Sequence, residues 1–521
     1  MTVLMSRTAF HAARSFSPSA AASSSRLFNS SVRAMASSSS STSEGDLVTY
    51  DSSGHARIYK LNRPKKLNSL NQEMITSLAE KMKAWRESDL CQLVVGMGDQ
   101  RAFCAGGDVA QLAKDAGERK STGVEFFKDE FELNWLMSRL GKPYVSIIHG
   151  TTMGGGAGIA LPATLRIATP KTIFAMPETG IGYAPDVGSN YYLAQLDGYI
   201  GAWLAVTGQH IYGRTVYELG IATHYVAESS LPDLVKQITH HPKPTTENLS
   251  ALISSFNLPS STSSAPSSKS TPDSPSPITL EIRQFIDNTF SAPSVKDIHA
   301  RLVAAGENKE LSEDVRKWAA VQRGYLEEKS PTGMAVALEG YTLAKNSKRL
   351  DKVLQNDMSM ATAFCGPKRA SDDFITGVTH VLITKIRDKR AAWEAELDSP
   401  TLTSSAITKR FFTPGADVKK LVFHPSTGST ETTSRDSTYG RFREWGLPEL
   451  HWVMGLVTGA VKDTGAFAVT EEELVERVLG MKGESKTGGR GQDMERITRE
   501  LVAKYCEKDA NGYLRWTKAK F

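Results

Sequence analysis

The chain reads as an α/β protein with a helical C-terminal part. Two observations carry that reading: short apolar strands alternate with amphipathic helices up to about residue 225, and two separate strands run through glycines straight into a helix. A third observation sets the size. With 521 residues, 40% of them hydrophobic and 23% charged, the chain can bury a large core with additions to it.

Ordered sequence begins near Leu47. LVTYDSSGHARIYKLN alternates apolar and polar residues about a Ser-Ser-Gly turn, which predicts a hairpin. NQEMITSLAEKMKAWRES follows with helical periodicity, then CQLVVGMG as a short buried strand and FKDEFELNWLMSRLG as a second amphipathic helix. SIIHG, LRIAT and TIFAM are further short strands. Residues 47–235 form the first folded unit, and 236–279 read as a linker whose Ser-, Pro- and Thr-rich part, 258–278, cannot bury enough apolar surface to fold. Residues 280–420 look helical throughout, with EIRQFIDNTF, VRKWAAVQRGYLEE, TGMAVALEGYTLA and SDDFITGVTHVLITKIRDKRAAWEAEL as the helices. A second Ser/Thr-rich linker, 421–438, leads into an extension, 439–521, that contains WGLPELHWVMGLVTGAVK and TEEELVERVLGMK.

Composition excludes several function classes. No apolar run approaches the 18 residues a membrane span needs. The four cysteines, Cys91, Cys104, Cys365 and Cys506, lie far apart without CxxC spacing, so neither a zinc site nor a disulfide framework is indicated. Residues 1–43 hold four arginines and no acid, and are rich in Ser and Ala, the composition of a mitochondrial transit peptide; RLFNSS (26–31) resembles a matrix-processing site. Removing that segment lowers the net charge of +5 to about +1. From 421 to 521 fifteen basic residues face fifteen acidic ones, so no part of the tail carries a direct nucleic-acid signature.

The glycines in TTMGGGAGIA (151–160) follow a buried strand and open a helix. They fit no dinucleotide fingerprint, because Ile159 or Leu161 stands where its third glycine or alanine belongs, and no Gly-Lys-Ser/Thr follows for a Walker loop. RAFCAGGDVAQL (101–112) repeats the same strand–glycine–helix arrangement. Two such junctions can point two backbone N–H groups at one carbonyl oxygen and stabilise a developing oxyanion.

LNRPKKLNSLN (61–71), RAFCAGGD (101–108) and HGTTMGGGAGIA (149–160) resemble the successive signatures of the crotonase (enoyl-CoA hydratase/isomerase) superfamily. Within it, FAMPETGIGYAPDVGSNYYLAQLDG (174–198), LAVTGQHIYG (204–213), GIATHYV (220–226), KSPTGMAVAL (329–338) and DDFITGV (372–378) are similar to the 3-hydroxyisobutyryl-CoA hydrolases. The resemblance spans roughly 47–420 and implies a spiral of ββα turns under a helical part. It implies that Gly107 and Gly155 supply oxyanion N–H groups, and that Lys65, Lys66, Leu67 and Ala105 lie along the CoA, with a lysine near its phosphates.

Hydratases of the superfamily carry two catalytic glutamates. The first falls at Gly158 and is missing here; the second is Glu178. A lone carboxylate is ill-suited to adding water across a double bond, which needs paired acid and base. Asp186, in PDVG, and Glu130, in KDEFELN, match acids of the hydrolase branch. The implied reaction is hydrolysis of a 3-hydroxyacyl-CoA, with Glu178 and Asp186 catalytic, Asp186 orienting the water or binding the 3-hydroxyl, Glu130, Gly155, Glu178 and Asp186 against the substrate, no metal, and no cofactor apart from the CoA of the substrate. His149 and Cys104 read as packing residues, and His224 has no metal-ligand partner at useful spacing. Two departures stand out. Ser189 and Asn190 replace the usual small residues after PDVG, and the extension after 420 resembles that of fungal proteins of the mitochondrial ribosome small subunit. The expectation is therefore a matrix hydrolase, against a structural ribosomal component or an enoyl-CoA hydratase/isomerase.

Overall fold

The computed structural model describes residues 46–258, 276–423, 438–461, 468–484, 486 and 488–517. The expected presequence and almost all of the two Ser-rich segments lie outside the described residues.

The expected hairpin pairs β1 (Val48–Ser53) with β2 (Ala56–Leu61) in antiparallel register, Val48 opposite Leu61. Helix α1 (Gln72–Glu87) starts where the Asn71 side chain accepts a hydrogen bond from the Met74 amide, and it buries Met74, Ile75, Leu78, Met82 and Trp85 along one face. Three turns of two strands and a helical segment follow. The first has β3 (Leu93–Met97), β4 (Ala102–Cys104), α2 (Val109–Gly117) and α3 (Thr122–Ser138). The second has β5 (Tyr144–Ile147), β6 (Thr151–Met153) and α4 (Gly155–Ala160). The third has β7 (Leu165–Ala168), β8 (Ile173–Ala175), a 3₁₀ turn over Glu178–Ile181, and helices α5 (Ser189–Leu193) and α6 (Ile200–Thr207). Strand β9 (Ile211–Tyr212), α7 (Gly213–Glu218) and β10 (His224–Tyr225) close the unit.

The first strand of each turn joins one six-stranded sheet, ordered β1-β2-β3-β5-β7-β10 and parallel from β2 onward. The second strand joins a four-stranded sheet, β4-β6-β8-β9. Each sequence turn thus contributes one strand to each wall, and every β4- or β6-type strand delivers its chain end to the same region.

Strand β3 shows why both faces of the larger sheet are apolar. Leu93, Val95 and Met97 pack under α8 (Leu231–Thr239) and α9 (Thr246–Ser254), against Leu234, Ile238, Leu249 and Ile253; Val94 faces the main core. Each such side chain contributes roughly 1.5–3 kcal/mol by burial. Helix α9 falls inside the 236–279 segment that the sequence suggests is linker. Its first part is folded: Thr245 caps Asn248, and Leu249 and Ile253 dock on the sheet.

The helical part comprises α10 (Leu280–Phe290), α11 (Val295–Glu307), α12 (Glu313–Glu328), α13 (Pro331–Ser347), α14 (Leu350–Cys365) and α15 (Asp373–Val378). The long helix expected from 371 to 397 ends early. After a π turn at Thr379–Ile383 the chain is irregular: Lys385 takes a positive φ, and Glu394 turns back to accept from Ser371 Oγ and the Asp372 amide. Charged, exposed residues there offer no apolar face to hold a helix on the core.

The extension is packed on the first unit. A short helix α16 (Ser404–Ile407) still belongs to the helical part; in the extension α17 (Leu450–Thr458), α18 (Glu471–Lys482) and α19 (Gly489–Tyr505) precede a hairpin of β11 (Cys506–Lys508) and β12 (Leu514–Trp516). Helix α18 opens with a reciprocal capping box between Thr470 and Glu473. Two buried contacts and a half-buried one fasten the extension: Arg166 donates to the Phe442 carbonyl and stacks 4.0 Å over its ring, Arg214 pairs with Asp493, and the half-buried Arg496 pairs with Glu218.

Candidate active site

The two strand–glycine–helix junctions lie side by side because β4 and β6 are paired in parallel. At the first, Leu70 forms a parallel bridge to Gly107: its amide donates to Gly106 O at 2.8 Å, and its carbonyl accepts from Asp108 N at 2.9 Å. In a parallel bridge the central residue directs its own N–H the other way, so the Gly107 amide faces away from Leu70. At the second, Gly154 takes φ +49°, a left-handed value suited to glycine, and Gly155 is the first residue of α4, where an amide has no partner within the helix. A Cβ on Gly155 would lie 3.4 Å from the Gly107 nitrogen. The two glycines that the sequence singles out are therefore close neighbours. Tyr144 Oη and Ser146 Oγ hold the other end of α4, donating to the Ile159 and Ala160 carbonyls at 2.6 and 3.2 Å.

Three carboxyl groups converge there. Glu178 begins the 3₁₀ turn after β8 and Pro177, and its Oε1 lies 3.0 Å from the position of a Cβ on Gly154. Glu130, on α3, puts its Oε1 against Gly155, where even a methyl group would collide with it. Asp186 follows in the loop before α5. The three side chains are buried, with 7%, 2% and 4% exposure for Glu178, Glu130 and Asp186. Glu178 Oε2 and Glu130 Oε1 find no hydrogen-bond partner among the described residues.

Burial sets their protonation. It pushes Glu178 up to about 8, helped by the charge of Asp186 and opposed by its own backbone amide and by Lys329. Burial likewise raises Asp186 to about 7; the Tyr183 hydroxyl opposes that rise, although the pair does not reach ordinary hydrogen-bond geometry. Glu130 is held well above the usual carboxylate range by burial, then by Asp186 and Glu178. Lys329, near Glu178, is lowered to about 8 by burial. A carboxyl group poised near neutrality beside the glycine junction can accept a proton or attack a carbonyl carbon.

The remaining predicted positions sort clearly. Lys65 and Lys66 are exposed on a 3₁₀ turn, Pro64–Lys66, and the loop is laced to the first junction: the Ala105 amide donates to Leu67 O at 3.0 Å, and Arg63 pairs with Asp108 at 2.8 Å. The loop thus lies beside the first glycine junction. His149 is buried against Thr169 Oγ1 at 2.9 Å, and burial pushes the Cys104 thiol up to about 12, so both fit packing roles. Asn190, one of the two departures after PDVG, turns its amide to the Pro185 carbonyl and toward Gly340 on α13. Among the described residues, no group of three or more His, Cys, Asp or Glu is disposed to hold a metal, and no helix is long and apolar enough to cross a membrane.

Sequence reading missed two residues. Asp357, on α14, accepts from the Gly188 amide at 2.8 Å and so holds the loop that carries Asp186, where Val187 and Gly188 both have positive φ. Asn134 lies one turn after Glu130 on α3, with its amide 2.9 Å from the position of a Cβ on Gly158. No local pattern marks Asp357, 171 residues from Asp186; the i, i+4 spacing from Glu130 could have marked Asn134. A chamber of about 560 Å³ lined by Arg139, Tyr191, Phe442 and Trp445, between the first unit and the extension, includes none of the three carboxyls.

Residues 56–412 match the family described as enoyl-CoA hydratase/isomerase. The chain is 32% identical over 488 residues to the small ribosomal subunit protein mS47 of Neurospora crassa, covering 91% of this chain and 89% of that one. It is 32% identical over 381 residues to the mitochondrial 3-hydroxyisobutyryl-CoA hydrolase of Homo sapiens, covering 73% and 92%. A carnitinyl-CoA dehydratase from Mycobacterium thermoresistibile has the same fold over 73% of this chain and 99% of its own, with a TM-score of 0.61 and 28% identity.

Proposed function

The chain belongs to the enoyl-CoA hydratase/isomerase family, and from that premise we propose that it is a mitochondrial matrix acyl-CoA thioester hydrolase. Its proposed reaction converts 3-hydroxyisobutyryl-CoA to 3-hydroxyisobutyrate and CoA, a step of valine breakdown, with no further cofactor. One observation carries the reading: Glu178 Oε1 stands against Gly154, beside the neighbouring Gly155 and Gly107, while the position of a hydratase's other glutamate is Gly158.

The thioester carbonyl oxygen accepts from both amides. As charge builds on it in the tetrahedral intermediate, each donor contributes roughly 3–4 kcal/mol. In one route, ionised Glu178 takes a proton from a water that Asp186 orients, and the water oxygen bonds to the carbonyl carbon. The C–S bond then breaks, and the thiolate leaves with the proton held by Glu178. In the other, Glu178 attacks directly to give a mixed anhydride that water then opens. Oxygen-isotope transfer into the protein separates the two. Lys65 and Lys66 are proposed to meet CoA phosphates. A methyl group at Gly158 would lie 2.6 Å from Val187 Cβ, so the space for a second glutamate is filled and the hydratase or isomerase reading loses support.

Purified protein given 3-hydroxyisobutyryl-CoA and crotonyl-CoA should release free thiol only from the first. Hydration of crotonyl-CoA without thiol release would overturn the proposal. A second reading rests on the similarity to mS47, which runs through the extension as well as the catalytic unit: the protein is a subunit of the mitochondrial ribosome small subunit, with activity retained or not. Sedimentation of mitochondrial extract tests it. Cosedimentation with the small subunit supports that role, and a free peak opposes it.

A further inference from the structure

We infer that Asn134 is a specificity-determining residue of this site, receiving through its side-chain amide a hydroxyl group on the acyl chain of the thioester. This rests on the hydrolase reading proposed above and goes further by assigning the group that recognises the acyl chain.

Asn134 lies on the face of α3 that also carries Glu130, and its side chain is buried. Both its Oδ1 and its Nδ2 are without a hydrogen-bond partner among the described residues. A buried amide normally has its partners, because leaving donor and acceptor unpaired is costly. Nδ2 is 2.9 Å from where a Cβ on Gly158 would be, one helical turn along α4 from Gly154 and Gly155. Glu130 Oε1, likewise unpaired, abuts Gly155 about one turn earlier along α4. The bare glycine face of α4 thus has a polar wall opposite it that the protein itself does not satisfy.

The chemistry of that wall defines the ligand. A primary amide offers one acceptor oxygen and two N–H donors, and a hydroxyl both donates and accepts, so the two groups can pair reciprocally. An apolar acyl chain would leave both amide atoms unpaired, so the site discriminates against it. A carboxylate on the acyl chain would instead stand against Glu130, Glu178 and Asp186, which disfavours it.

The test compares 3-hydroxyisobutyryl-CoA with isobutyryl-CoA, which lacks only the hydroxyl, on the full chain and its Asn134→Ala and Asn134→Ser variants. The wild type should prefer the hydroxy ester in kcat/KM, and Asn134→Ala should shrink that preference by about ten- to a hundred-fold. Asn134→Ser, with a hydroxyl of its own, should retain part of it. Equal losses on both esters, or loss of the folded state in both variants, would assign Asn134 to packing and overturn the inference. Should the wild type release no thiol from either ester, the hydrolase reading fails by itself. Calorimetric affinities for the two esters then decide Asn134: a wild-type preference for the hydroxy ester that the alanine variant loses sustains the assignment, and equal wild-type affinities refute it.

Discussion

Glu178→Gln keeps the size of the side chain and removes its charge at every pH. In the wild type, burial raises the carboxyl from 4.5 to about 8. An acid whose pKa is higher folded than unfolded holds its proton longer in the folded state, so its contribution to stability is complete below pH 4.5. That contribution declines as pH rises and is gone above about 8. At 1.36 kcal/mol per pH unit, the full change is roughly 5 kcal/mol, an upper figure because Asp186 ionises over an overlapping range. Glutamine has no such dependence. Urea denaturation from pH 5 to pH 9 should therefore show the variant gaining stability on the wild type as pH rises, by up to several kcal/mol. Thioester cleavage, in contrast, should climb toward pH 8 in the wild type and be abolished in the variant while CoA-ester binding persists. Parallel stability curves would refute the claim that Glu178 is buried and poised near neutrality, and near-normal turnover would remove it from the mechanism.

Three further outcomes follow from named contacts. Gly158→Ala places a methyl group 2.6 Å from Val187 Cβ and 2.9 Å from Asn134 Nδ2, so thermal unfolding should show a loss of roughly 1–3 kcal/mol; Gly158→Glu should not confer hydration of crotonyl-CoA. Asp357→Ala releases the Gly188 amide and should lower kcat about tenfold with KM little changed, since the loop rather than the CoA site loses its anchor. Asp357→Asn keeps an acceptor oxygen and should restore most of the rate; equal loss in both variants would refute the positioning role. Arg214→Met leaves the buried Asp493 with only the 3.8 Å contact to Arg496 and should destabilise by up to about 3–5 kcal/mol, whereas Arg214→Met with Asp493→Leu should recover most of the loss in a denaturation series. Failure of the pair to recover would mean that other contacts fasten the extension.

Where a segment carried its own signal, the expectation held. The β1–β2 hairpin and the helix over Gln72–Glu87 depend on neighbours within a few residues, and both were legible. The early end of the helix after Val378 was not, because the apolar residues that suggested its continuation, Leu382 and Ile383, are exposed and find nothing to pack against. Helix α9 was obscured for the opposite reason: its short apolar face earns its conformation only by docking on β3 and β5.

The local sequence by itself determined the two glycine junctions, the missing acid at 158 and the presence of Glu130, Glu178 and Asp186. Glycine content, turn chemistry and side-chain identity are properties of a few adjacent residues. Only the tertiary structure decided that Asp357 anchors the Asp186 loop, that Asn134 faces Gly158 unpaired, and that Arg214 buries its charge against the extension. Those relations join residues 24 to 279 positions apart. Burial, and with it the lifted pKa of Glu178, comes into being only when the distant chain closes over the site.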